Sequence, residues 1–163
     1  MAPPFRRILV PVADNPESVR AVDAACRLAA EHGASLTALT VVEVPALLPL
    51  DAHMLDEEAA AHTLLRQAEA IADEHGVRAS ARTLRARTAA GAIVDRATSM
   101  NADLVVMSAA RRRNVSSRTP IFGRTVNEVL ENAPCRVLVF SSPYSSQGRM
   151  LSETSAWTAS AGG

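Results

Sequence analysis

The chain has 163 residues, 48% of them apolar and only 3% aromatic, with 17 basic and 17 acidic side chains and a formal net charge of zero. That length makes one domain with a sizeable core the default, and the charge balance gives no support to a general role on nucleic acid or a membrane surface. There is no lysine: every cation is an arginine, a planar donor able to make bidentate contacts.

No secretory leader is read at the start, because Phe5-Arg6-Arg7 leads straight into a strand-like run. No apolar stretch is long enough to span a bilayer, so a cytoplasmic location without membrane insertion is expected. Arg7 to Val12 is short, β-branched and apolar, and reads as a buried first strand. Asn15 is placed to cap a helix that has Pro16 at its first position, where the missing N–H has no partner to lose. Val19, Val22, Cys26 and Ala29 then recur at helical spacing, and Gly33 stands where a left-handed residue ends a helix.

Leu36 to Val42 is the second strand, and Glu43 to His53, with two prolines, is a surface connection. A long helix from Met54 to His75 carries Leu64, Ala68, Ile71 and Ala72 on one face, and Gly76 ends it. Val77, Ala79, Ala81 and Thr83 alternate with Arg78, Ser80 and Arg82, the period of an edge or half-exposed strand. Thr88 caps a helix over Ala89 to Met100, and Leu104 to Met107 is the fourth strand. A last helix from Gly123 to Asn132 stops before Pro134, and Arg136 to Phe140 is the fifth strand. Strands alternating with helices predict a doubly wound, five-stranded parallel α/β sheet with helices on both faces. The domain is expected over residues 1–142, with 143–163, rich in Ser, Gly and Ala, a disordered tail.

Few residues invite chemistry. Cys26 and Cys135 read as reduced core thiols. The four histidines show no metal-ligand spacing, and His75 beside Gly76 suits a helix C-terminus. Asp56-Glu57-Glu58 reads as an acidic first helical turn. No Ser/His/Asp or Cys/His grouping assembles, so an enzyme is not expected. The informative segment is Asp103 to Phe140. A loop between the carboxyl end of a parallel strand and the amino end of a helix is where α/β proteins place phosphates. Here that loop is rich in arginine (Arg111, Arg112, Arg113, Arg118, with Arg124 just inside the helix) where a phosphate loop is usually rich in glycine.

Three segments, RRILVPVADNPESVRAV, NADLVVMS and FGRTVNEVLENAPCRVLVF, make the chain resemble the universal stress protein family from about Phe5 to Phe140. The details look closest to family domains attached to amino-acid and cation transporters. The resemblance implies a Rossmann-like, adenine nucleotide alpha hydrolase-like fold with strand order 3-2-1-4-5. It also implies an adenine nucleotide such as ATP or AMP as ligand, with magnesium accompanying it. The family's adenine contacts fall on Pro11, Val12, Val41 and Met107, all apolar here. Its acidic residue after the first strand falls on Ala13, with Asp14 one place later.

Its phosphate pattern, G-x2-G-x9-G-[ST], falls on Ser108, Arg111, Gly123 and Arg124, with Thr125 next and two extra residues before Gly123. One glycine of three is present. Two readings therefore stay open at the loop: arginines supplying phosphate contacts in place of backbone N–H groups, or a domain without nucleotide that regulates a transporter or other protein. Slow ATP hydrolysis or autophosphorylation is a weaker third. The resemblance also implies a homodimer through the fifth strand, Val137 to Phe140, which would cover an otherwise open edge. The alternative is an edge covered by the C-terminal tail.

Overall fold

The computed structural model describes residues 5–109 and 122–141. The expected tail and most of the arginine loop, including Arg111, Arg112, Arg113 and Arg118, lie outside them. In chain order the elements are β1 (Arg7–Pro11), α1 (Pro16–His32), β2 (Ser35–Glu43), α2 (Leu55–Glu74), β3 (Ala79–Ala86), α3 (Ala89–Ser99), β4 (Leu104–Ser108), α4 (Arg124–Asn132) and β5 (Arg136–Phe140). The strands form one sheet ordered β3-β2-β1-β4-β5, and every pairing is parallel. The chain winds outward from β1 to β3, then crosses back to β4 on the other side of β1. That reversal opens a crevice at the carboxyl ends of β1 and β4, where ligands bind in sheets of this kind.

Both sheet faces are covered, as the unbroken apolar runs require. Ile8 and Val10 pack with Ala21, Val22 and Cys26 of α1 and Leu65 and Ala68 of α2. Leu9, Val105 and Met107 point the other way, onto Ile93 and Ala97 of α3 and Val126 and Val129 of α4. Local chemistry sets the helix ends. Asn15 accepts from the Ser18 N–H at 2.8 Å, and Thr88 accepts from that of Gly91 at 3.2 Å. Gly33 and Gly76 follow α1 and α2 with φ of 63° and 66°, the left-handed region that a Cβ disfavours. Asp103 clamps the lower end of the sheet, its Oδ2 accepting from the N–H groups of Arg6 and Arg7 at 2.7 and 2.8 Å.

The structure corrects the reading in several places. Val19 is 40% exposed, and Ser18, 2% exposed, takes the inward position. The reason is that the Ser18 hydroxyl accepts from the Ala13 N–H at 3.0 Å, which pulls the helix start against the β1–α1 turn. In β3, Thr83 is exposed rather than inward-facing. Ala79 and Ala81 pack toward α1 and α2, whereas Leu84 packs on the opposite cluster with α3; an edge strand here has a different neighbour at each end. Cys135 is half-buried, not enclosed. Burial still pushes its thiol pKa up, helped by the Asp103 charge. Cys26 is fully enclosed, and burial, then Asp23, raises its pKa to about 11. His75 does more than end a helix: its Nε2 lies 2.8 Å from Asp23 Oδ1 and ties α2 to α1.

Candidate nucleotide site

The carboxyl ends of β1, β2 and β4 diverge below a cavity of about 550 Å³, roofed by α2 and flanked by the starts of α3 and α4. That size is within the range of about 300–1,000 Å³ typical of small-molecule sites. Its floor is apolar: Pro11 and Val12 from β1 and the residue after it, Leu39 and Val41 from β2, Met107 from β4. Leu64 of α2 and Ile93 of α3 close the sides. Several of these side chains belong to the core clusters as well, so the floor is set by packing. An apolar floor in a cavity of this size suits a heteroaromatic ring.

Three carboxylates rim the cavity: Asp14 after β1, Glu43 at the end of β2, and Glu57 in the first turn of α2. Glu43 Oε1 accepts the Ala89 N–H at 2.7 Å, which ties the end of β2 to the start of α3. Thr40 is buried, its hydroxyl donating to the Val12 carbonyl at 3.4 Å, which holds the β1–α1 turn in place. The opposite rim is the start of α4. Gly123 caps it with no side-chain acceptor, and a Cβ built there would meet nothing within 4 Å. Asn127 Nδ2 donates to the carbonyls of Phe122 and Gly123 at 2.9 and 3.1 Å, fixing the approach of the chain. The uncapped N–H groups of this first turn carry the positive end of the helix dipole, a setting that favours an anion.

Of the residues singled out from the sequence, Pro11, Val12, Asp14, Val41, Met107, Ser108 and Thr125 line this cavity. Gly123 stands at its edge as the helix cap. Arg124 does not line it: the side chain is 85% exposed and its Nε lies 2.6 Å from Glu128 Oε1. Glu128 raises the guanidinium pKa further, by the hydrogen bond and then by its charge, with a smaller contribution from Glu43. Arg111 lies outside the described residues. Sequence reasoning missed Thr40, Glu43, Glu57, Leu64 and Ile93. Glu43 was open to discovery as a polar residue at the carboxyl end of a predicted strand; the others give no local signal. Among the described residues no group of three His, Cys, Asp or Glu side chains could hold a metal ion.

The model of the universal stress protein family matches residues 4–141. The chain belongs to that family. It is 28% identical over 147 residues to Universal stress protein MJ0531 of Methanocaldococcus jannaschii, an alignment covering 85% of this chain and 84% of that one. Among solved structures, universal stress protein UspA of Lactobacillus plantarum superposes with a TM-score of 0.67 at 30% identity, over 83% of this chain and 97% of that one. A universal stress protein of Archaeoglobus fulgidus, solved in complex with dAMP, has a TM-score of 0.65 at 18% identity over 86% and 99% of the two chains. These neighbours share the strand order and helix placement described above. No helix among the described residues is long and apolar enough to cross a membrane.

Proposed function

We propose that this chain is an adenine-nucleotide-binding regulatory or sensing module of the stress-response type, working in the cytoplasm without catalytic turnover. The observation that carries the reading is the pairing of an apolar slot, floored by Val12, Val41 and Met107, with the uncapped start of α4 across the same cavity. The adenine ring would lie in the slot. The phosphate would lie toward Ser108, Thr125 and the first-turn N–H groups of α4, with the neighbouring arginine loop supplying charge-assisted donors. A relative of the same fold was solved with dAMP, which supports this ligand class. Magnesium, where ATP is the ligand, would be carried by the phosphates, as is usual for that ion.

The carboxylate rim sharpens the choice of nucleotide. Asp14, Glu43 and Glu57 suit ribose hydroxyls and repel phosphate, so the phosphate end must point away from β2 and toward α4. Calorimetry and thermal shift with ATP, AMP and adenosine test the reading. Saturating nucleotide should raise the unfolding midpoint, because a ligand bound only by the folded state stabilises it. No heat and no shift with any of the three at millimolar concentration sinks the proposal.

The homodimer belongs to the same reading. The outer side of β5 pairs with no strand among the described residues, Leu138 is 37% exposed, and Val137, Val139 and Phe140 are half-buried. A second copy would cover that edge. Sedimentation should give a dimer, and Leu138→Arg should shift it toward monomer. The second reading, a nucleotide-free module acting on a transporter or other protein, is favoured by one observation. Ser108 and Arg111 stand where two phosphate-loop glycines would be. A domain with no nucleotide affinity that still binds such a partner would establish it.

A further inference from the structure

Four of the seven exposed large hydrophobic side chains among the described residues fall within nine residues, three in the loop between β2 and α2 and one at the first position of α2: Leu47, Leu48, Leu50 and Leu55. Leu47 is 97% exposed and Leu55 is 71% exposed. Scattered surface leucines need no explanation, but this many in one short segment do.

The loop is not loosely tethered. Arg87 Nη1 donates to the carbonyls of Val44, Pro45 and Leu48, at 3.2, 2.5 and 2.8 Å. Two turns, Leu48 N–H to Pro45 O and Ala52 N–H to Pro49 O, both 3.0 Å, shape the tip. The fold thus spends an arginine and two prolines holding leucines out in water.

Charge narrows the kind of partner. From residue 44 to 58 the only basic side chain is His53, against Asp51, Asp56, Glu57 and Glu58. Glu58 is paired with Arg85, and Arg87 is turned inward onto the loop carbonyls. Asp51, Asp56 and Glu57 make no ion pair among the described residues. An acidic first turn by itself only complements the dipole of α2; the leucines beside it have no such account. A second copy meeting this surface through a two-fold axis would set like charges against each other. An anionic membrane would be repelled for the same reason.

We propose that the segment from Leu47 to Leu55, with the acidic first turn of α2, is a docking surface for a basic amphipathic segment of a partner protein. Its apolar residues would cover the leucines while its arginines or lysines meet Asp51, Asp56 and Glu57. This is the usual way an amphipathic helix is read by an apolar surface with a charged rim. The surface adjoins the nucleotide slot, sharing Glu57 with its rim, and the proposal does not require that slot to be filled.

The test uses the full chain and a labelled synthetic helix with a leucine face and an arginine face. Its controls are a glutamate-for-arginine counterpart and a scrambled peptide of the same composition, all read by fluorescence anisotropy. The basic amphipathic peptide should bind at least about tenfold more tightly than either control, and more weakly as salt rises. Leu47→Ser with Leu50→Ser should weaken it by about tenfold or more. Asp51→Arg with Asp56→Arg should transfer the preference to the acidic peptide. Circular dichroism of both variants should match the parent, since these side chains are exposed. Equal binding of the three peptides, or binding indifferent to charge reversal, overturns the proposal. So does a change of oligomer size in the leucine variant, which would make a second copy the occupant. Co-sedimentation with phosphatidylcholine or phosphatidylglycerol vesicles that the leucine variant loses would make a membrane the occupant.

Discussion

The two sides of the cavity are built for different reasons. The slot side is made of residues the core needs in any case: Leu39 and Met107 are 0% and 4% exposed and sit in the cluster that joins the sheet to α3 and α4. Packing alone would keep them apolar, ligand or no ligand. The α4 side is different. Gly123 is not in the left-handed region and faces open space, so neither backbone strain nor packing demands a glycine there. Agreement with the family at the slot is therefore weak testimony about nucleotide, whereas agreement or departure at the α4 side is strong. Gly123 agrees. Ser108 and Arg124 depart, and in the sequence so does Arg111, which lies outside the described residues.

That contrast can be broken at either side. The largest expected effect is Val41→Trp, which fills the slot from its half-buried floor. Adenosine and ATP should both weaken by roughly 100-fold while the unfolding midpoint stays close to the parent's. Loss confined to ATP would mean that the base does not lie there. On the core side, Cys26 gives an independent check that the sheet is closed against water. Its thiol is raised from 9.0 to about 11 in the folded protein. The unfolded chain therefore releases that proton first, and the stability present below pH 9 is lost as pH climbs toward 11. The loss is on the order of 2 kcal/mol. Urea unfolding at pH 8 and pH 11 measures it, and Cys26→Ala, although less stable throughout, should show a flatter alkaline slope.

At the arginines of the phosphate pattern the effects are smaller and selective. Arg111→Ser with Arg113→Ser should weaken ATP by roughly tenfold and leave adenosine unchanged, the worth of a charge-assisted contact or two. If ATP is indifferent, the departure from glycine marks a loop that does not serve phosphate. Arg124→Ala is the smallest, about two- to threefold on ATP, because the guanidinium is solvent-exposed and held by Glu128. Equal losses of ATP and adenosine in this variant would remove Arg124 from the phosphate side.

Much of the fold was legible in the residues because its signals are local. Asn15, Gly33, Gly76 and Thr88 mark helix ends through contacts within a turn or so of themselves, and each does so in the structure. The errors fell where a residue's surroundings come from elsewhere in the chain. Val19 follows the helical period but loses the inward position to Ser18, whose hydroxyl is taken by the turn before it. Thr83 follows the strand period, but the middle of β3 is where cover from α2 gives way to cover from α3. At the site, the apolar floor was legible because it coincides with strand ends. Glu57 was read only as part of an acidic turn, and nothing near it in sequence says that it faces Asp14 and Glu43 across a cavity.

The amino-acid sequence by itself determined the elements, their order and the family, since hydrophobic period, caps and turn residues act over a few positions. Only the tertiary structure decided which distant groups meet. It set Arg87 on carbonyls 39 to 43 residues away and His75 on Asp23, 52 residues away. Such meetings depend on how each crossover lays its helix on the sheet and on which partner a long side chain finds first. No local pattern encodes either.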